Sequence, residues 1–338
     1  MTNGLVILVL TYEGYGIKEE RYLGEDIYEE LRRMGRDDVE LVYACATKFR
    51  DSSQKVEITK SVRNKDVYII HPIYTDAAEH IMLAAEAGQA AKLGDASSVV
   101  LIEPYNRYFR QDRRTGREPV TARLVAELYE DAGIDHVFTL DAHTEQIQMA
   151  FNTKCSIETL PSTKLISNYI KDNYSTENVV VCSPDTGAVK RARSLANSLG
   201  LPMAIIHKRR IREGVLDEET LDVIGDVEGK TVFIRDDVTS TFTTLIHASE
   251  SLKSAGAKDV YACVTHLDID DEAKEKLMGS DIHVIGTNSV PVDLTDKEKE
   301  RIDIIDIAPL LACVISMRSK GESIAKFFQT SSDNKFDS

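Results

Sequence analysis

Short apolar, β-branched runs recur along this chain at Leu5–Leu10, Leu41–Ala46, Val67–Ile70, Val99–Ile102, Val137–Leu140, Val179–Cys182, Ala204–Ile206, Val232–Ile234, Val260–Val264 and His283–Ile285. Runs this short, with little internal alternation, fit strands buried on both faces. Helical patterns lie between many of them, at Asp76–Leu93, Thr121–Ala132, Ser162–Asp172, Gly187–Leu199 and Thr241–Ala255. Strands alternating with helices predict an α/β protein whose mostly parallel sheets are doubly wound, with helices on both faces. Two such units fit the 338 residues, with a join near Asn152–Pro161. The expected division is 1–155, 156–328 and a polar tail, 329–338, that frays. The segment Arg209–Val223 is charged, carries Gly214 and has no long apolar face, so it reads as a mobile flap between strands.

Composition narrows the class. With 42% hydrophobic and 29% charged residues the chain reads as soluble, and no apolar run approaches the ~20 residues of a membrane span, so no membrane partner is expected. Cys45, Cys155, Cys182, Cys263 and Cys313 are odd in number and widely spaced, which suggests neither a disulfide framework nor a zinc site and implies a reducing, cytoplasmic setting. The formal net charge of −15 opposes nucleic-acid binding. Against that background two basic clusters stand out: Arg107, Arg110, Arg113, Arg114 and Arg117, then Lys208, Arg209, Arg210 and Arg212. Charge runs are often solvated faces, but two of them in an acidic chain point to a small polyanionic ligand.

Polar motifs fall where the strands should end, which is where open α/β sheets bind ligands. At Thr231–Leu245 an apolar run stops at Asp236-Asp237 and opens into Ser240, Thr241, Phe242, Thr243 and Thr244. Two carboxylates there suit a sugar diol, and hydroxyls with amides at a helix start suit a phosphate. The same residues are also ordinary helix-capping chemistry. Arg110-Gln111-Asp112 offers a guanidinium fork for phosphate oxygens beside groups that read a base or hold water. Asp141-Ala142-His143, Ser183-Pro184-Asp185-Thr186-Gly187 and His207-Lys208-Arg209-Arg210 close three further runs.

In this order and spacing, Arg107–Glu118, Leu140–Phe151, Val179–Arg193, Ile205–Arg210 and Ile234–Thr244 resemble the ribose-phosphate pyrophosphokinase (phosphoribosyl pyrophosphate synthetase) family, over about Val42–Phe328. The resemblance implies two tandem phosphoribosyltransferase-like domains, homo-oligomers (dimer or hexamer), and small-molecule substrates. It implies transfer of the β,γ-diphosphate of ATP to the anomeric hydroxyl of ribose 5-phosphate, with release of AMP. By position, Arg110, Gln111 and Asp112 would contact ATP, joined by Phe49 and Asp51 from a neighbouring subunit. His143 and Asp185 would engage Mg²⁺ directly or through its waters. Lys208 and Arg210 would stabilise the transferring group under the flap, and Asp236 and Asp237 would hold the ribose hydroxyls. Those roles suit phosphoryl transfer, which asks for positioning and charge neutralisation more than for a protein nucleophile.

Three departures from the family pattern alter the expectation. Thr241-Phe242-Thr243-Thr244 replaces a loop with a small pair, Ser53 stands where a Glu is usual after Phe49 and Asp51, and the opening around Thr11–Glu25 is unlike the family's. The second of these bears on nucleotide preference. Three readings follow: the ordinary reaction; the same reaction on a 5-extended acceptor such as ADP-ribose, with Phe242 stacking on the extension; and a non-catalytic regulatory subunit.

Overall fold

The computed structural model describes residues 4–13, 22–73, 76–213 and 216–328, leaving out the side chains of residues 13, 208–213, 216–220, 326 and 327. In chain order the first stretch contains β1 (Gly4–Glu13), α1 (Leu23–Arg33), β2 (Val39–Lys48), β3 (Gln54–Ile58), β4 (Lys65–Ile70), α2 (Ala77–Leu93), β5 (Ser98–Ile102), α3 (Thr121–Asp131), β6 (His136–Leu140) and β7 (Ser156–Leu160). Two 3₁₀ turns, Arg107–Arg110 and Glu145–Ala150, follow β5 and β6 on either side of α3. The second stretch contains α4 (Thr163–Asn173), β8 (Val179–Ser183), α5 (Val189–Leu199), β9 (Met203–Glu213), β10 (Leu216–Ile224), β11 (Thr231–Thr239), α6 (Thr243–Ser254), β12 (Asp259–Leu267), α7 (Asp271–Met278), β13 (His283–Thr287) and β14 (Ile302–Ile305). The chain closes with α8 (Ala308–Ser319) and α9 (Ile324–Phe328).

The strands form two seven-stranded sheets, ordered β3-β2-β1-β4-β5-β6-β7 and β10-β9-β8-β11-β12-β13-β14. The second order is the first repeated seven strands later. Pairing is parallel except for the edge pairs β2–β3 and β9–β10. The order in which strands are added reverses between β1 and β4 and between β8 and β11, so a crevice forms at the carboxyl ends of those parallel pairs. In the second sheet, Val232 and Ile234 pack under α6 and α7, while Phe233 packs under α4 and α5 on the other face. That two-sided burial explains why Val232–Ile234 of β11 are apolar in succession rather than alternating.

All ten predicted runs lie in strands and all five predicted helices are present. The flap expected at Arg209–Val223 is instead a strand pair: β9 runs on to Glu213 and β10 returns antiparallel, from Leu216↔Glu213 to Ile224↔Ile205. By packing, residues 4–160 and 307–328 form one unit and residues 161–306 the other, whereas division along the chain assigns all of 156–328 to the second. The reason is α8, an apolar helix that packs on α1. Arg36 Nη1 donates to Ser319 Oγ at 2.7 Å, and the Arg318 guanidinium lies 5.6 Å from the Phe138 ring centre. The expected tail, 329–338, lies outside the described residues.

Candidate active site

In the first unit the candidate groups stand at the carboxyl ends of β5 and β6. After β5 the chain runs through buried Glu103 and Asn106 into the turn Arg107–Arg110. Asn106 Oδ1 accepts the Tyr108 amide at 2.9 Å and so caps that turn. Arg110 is left exposed at its end. Gln111 is held by its neighbours: its carbonyl accepts from the Ala122 amide at 3.2 Å and its Oε1 from Thr121 Oγ1 at 2.6 Å, both at the start of α3. The Thr144 hydroxyl donates to Asp112 Oδ2, and His143, next to Thr144, is exposed. The Arg110–Asp112 and Asp141–Thr144 segments are thus brought together.

Phe49 and Asp51 occupy the tight turn from β2 to β3, away from these segments in sequence. The Phe49 amide donates to the Ser53 carbonyl at 2.8 Å, and Ser52 takes φ of +68°. Asp51 Oδ1 accepts from the Ser53 amide at 3.0 Å and hydroxyl at 2.6 Å, which holds the carboxyl below its ordinary pKa. Ser53, unusual against the family pattern, therefore orients Asp51. The Phe49 ring is 46% exposed at the tip.

In the second unit the crevice between β8 and β11 collects the rest. Asp185 Oδ1 accepts the amides of Gly187 at 2.8 Å and Ala188 at 2.9 Å, closing the turn into α5. A Cβ on Gly187 would stand 3.2 Å from that oxygen, so the small residue allows the close approach. Asp236 and Asp237 are not equivalent. Asp237 is buried, with Arg191 Nη1 of α5 at 3.5 Å from its Oδ1. Asp236 is half-buried, and its Oδ1 accepts the Asp237 amide at 2.9 Å. Burial, then the neighbouring Asp237 charge, raises the pKa of Asp236. The side chains of Lys208 and Arg210 lie outside the described residues; their backbone belongs to β9, opposite Leu221 and Glu219.

The loop after β11 corrects one expectation. Phe242 does not present its ring to a ligand. It is 1% exposed and packs in the core with Leu245, Ala248 and Leu252 of α6. Its backbone has φ 57° and ψ −4°, the left-handed region that a glycine adopts freely. The Phe242 amide donates to Thr239 Oγ1 at 3.2 Å. The ring goes inward and the loop keeps a glycine-like turn at the start of α6, whose first N–H groups have no partner within the helix. Lys276 Nζ of α7 donates to Thr243 Oγ1 at 2.6 Å, and Thr241 Oγ1 lies 3.1 Å from the same hydroxyl. An ammonium, the hydroxyls of Thr241 and Thr243 and a helix N-terminus converge there, which is an anion-binding arrangement.

Two family models match the chain: the N-terminal domain of ribose phosphate pyrophosphokinase over residues 15–133 and the phosphoribosyl synthetase-associated domain over residues 212–329. A ribose-phosphate pyrophosphokinase of Staphylococcus aureus is 36% identical over 318 residues, covering 93% of this chain and 96% of its own. One from Listeria ivanovii is 35% identical over 317 residues, with the same coverage. The chain belongs to the ribose-phosphate pyrophosphokinase family. A crystal structure of phosphoribosylpyrophosphate synthetase from Mycobacterium smegmatis superposes with a TM-score of 0.79 at 32% identity, covering 94% of this chain and 99% of that one. This chain is accordingly an enzyme of the ribose-phosphate diphosphokinase type, built from two phosphoribosyltransferase-like domains.

Four residues of this ribose-phosphate pyrophosphokinase relative, Arg191, Lys276, Arg235 and Glu103, were not singled out from the sequence. Arg191 and Lys276 sit in charged helical stretches, where solvated cations are the common case. Arg235 was visible as a cation inside an apolar strand, and Glu103 as an acid at a strand end. Among the described residues no group of three or more His, Cys, Asp or Glu gathers into a metal-binding cluster. His143 lies in the first unit and Asp185 in the second.

Proposed function

We propose that this enzyme transfers the β,γ-diphosphate of ATP to the anomeric hydroxyl of ribose 5-phosphate, forming phosphoribosyl pyrophosphate and AMP. The observation that carries the choice of acceptor is the loop Ser240–Thr244. Its left-handed Phe242 gives the turn a small residue would give, so the amides at the start of α6, the threonine hydroxyls and Lys276 suit a terminal phosphate. With the Phe242 ring buried, nothing on this loop favours stacking on a nucleoside, which removes the support for ADP-ribose. Asp236 presents the accessible carboxylate for the ribose diol, and Asp237, held by Arg191, lies beneath it.

Arg110, Gln111 and Asp112 bind ATP in this reading, with Phe49 and Asp51 supplied from a second copy in a homo-oligomer. Gln111 offers its amide N–H groups, because its Oε1 is taken by Thr121. His143, which is exposed, and Asp185, which spends Oδ1 on its own turn, would each engage Mg²⁺ directly or through its waters, an ion that usually leaves most positions to water and substrate phosphates. When bound, Mg²⁺ neutralises charge on the triphosphate. Lys208 and Arg210 stabilise the charge that develops on the transferring group, and a preorganised donor of that kind contributes roughly 10² to 10³ in turnover. Membership of the family and five free cysteines agree with a cytoplasmic enzyme of nucleotide biosynthesis.

The test is AMP release from ATP with ribose 5-phosphate or ADP-ribose as acceptor, each with Mg²⁺ and with excess chelator. Mg²⁺-dependent turnover of ribose 5-phosphate, and little of ADP-ribose, is expected. Preference for ADP-ribose would overturn the acceptor assignment, and activity in chelator would overturn the metal. No turnover of either, with stimulation of an active relative on mixing, would make this a regulatory subunit. Lys208→Ala is expected to lose roughly 10² to 10³ in kcat with ATP affinity nearly unchanged.

A further inference from the structure

Arg235 is a fully buried arginine in the middle of β11, one residue before the carboxylate pair. Its guanidinium is held on several sides. Nη2 donates to Ser162 Oγ at 2.9 Å and Thr265 Oγ1 at 2.8 Å, while Nη1 donates to the Cys263 carbonyl at 3.3 Å and to the carbonyl of Asp236. Ser162 is the first residue before α4, yet its hydroxyl makes no helix cap. It lies 3.0 Å from Thr265 Oγ1 instead, facing the arginine. The network continues under the strand ends: the Thr265 carbonyl accepts from Thr287 Oγ1 at 2.7 Å and Ser289 Oγ at 3.1 Å, and Ser289 Oγ meets His266 Nδ1 at 2.8 Å. Arg235, Ser162, Thr265, His266, Thr287 and Ser289 are all buried, and they tie β11, β12, β13 and the start of α4.

A strand buried on both faces is packed at lower cost by an apolar side chain. Taking a guanidinium out of water is costly before its hydrogen bonds are counted. What the charge touches gives it a use. Through the Asp236 carbonyl it fixes the peptide that joins Asp236 to Asp237, and with it the direction in which each carboxylate leaves the strand. A positive charge in low dielectric at this end of β11 also favours the anions the crevice has to accept.

Resting on the acceptor assignment made above, we infer that Arg235 is a positioning residue for the acceptor: a buried cation, clamped by Ser162 and Thr265, that sets the Asp236–Asp237 pair for the ribose diol. It touches no substrate itself. Steady-state kinetics of the full-length protein with both substrates varied separates this role from simple core packing. Arg235→Met is expected to raise KM for ribose 5-phosphate tenfold or more, with KM for ATP within twofold, and Arg235→Lys to recover part of the loss. If Arg235→Met does not fold, the double variant Ser162→Ala, Thr265→Val leaves the cation in place and removes its side-chain partners; a severalfold rise in KM for ribose 5-phosphate alone is expected. Unchanged acceptor KM in a folded variant, or equal losses for both substrates, would overturn the inference. Wild-type protein without AMP release would instead overturn the function on which it rests.

Discussion

Glu103 shows how far a single carboxyl departs from its solution behaviour. It is fully buried, accepting from Asn106 Nδ2 and Tyr129 OH, each at 2.8 Å, and burial pushes its pKa up to about 7. The folded protein therefore keeps this proton up to about pH 7, while the unfolded chain releases it near the ordinary glutamate value of about 4.3. Between those values the native state binds more protons, so stability falls as pH rises and levels off above them. Glu103→Gln removes that slope: by urea unfolding, the variant is expected to gain roughly 3 kcal/mol on wild type between pH 4.5 and 8. Parallel pH profiles would mean that the carboxyl ionises freely in the fold. Lys276 illustrates the opposite case, an exposed cation whose meaning comes from its neighbour. Lys276→Ala is expected to raise KM for ribose 5-phosphate about tenfold with little change in kcat, as loss of a charge-assisted phosphate contact does; a fall in kcat with KM unchanged would place the residue elsewhere.

At the scale of elements, the loop between β11 and α6 balances strain against burial. Phe242→Gly would relieve roughly 1 kcal/mol of left-handed strain and lose a core aromatic ring worth about 3 to 5 kcal/mol. Net destabilisation of about 2 to 4 kcal/mol is expected from denaturant midpoints, with acceptor preference unchanged; a shift in that preference would show that the ring contacts the acceptor after all. The amino-acid order disclosed that this loop differs from its family but not which way the ring points, because a positive φ at a non-glycine residue leaves no mark in a hydrophobic pattern. The interior strands were legible because both of their faces are buried. Strands β3, β7 and β14 were not: Gln54–Ile58 alternates charged and apolar residues, and Ser156–Leu160 and Ile302–Ile305 are short edge strands. Helix α1 does show a helical period in Leu23, Ile27 and Leu31, whereas α8 is apolar on nearly every side and shows none. Asp141–His143 and Asp185–Gly187 do follow strand ends, whereas Lys208–Arg210, expected to close a strand, lie inside β9, which continues to Glu213. The internal ties of the site segments, such as Ser53 to Asp51 or Thr121 to Gln111, depend on turns that only the fold defines.

For the molecule as a whole, the return of α8 to the first unit matters most. Ending the chain at Asp306 would uncover α1 and remove the Arg36–Ser319 contact. Hydrogen exchange is expected to speed up in β1, β2 and α1 and to remain slow in β11, β12 and β13. Equal loss of protection in both units, or none, would show that α8 does not belong to the first core. The second unit is thus an insertion between two parts of the first, and this has a consequence during synthesis. A ribosome makes about 5 to 20 residues per second, so residues 161–306 take on the order of 7 to 30 seconds. For that interval the first seven strands exist without the helix that covers one side of their unit, while everything needed for the second sheet is already being produced. The half that is translated first is completed last.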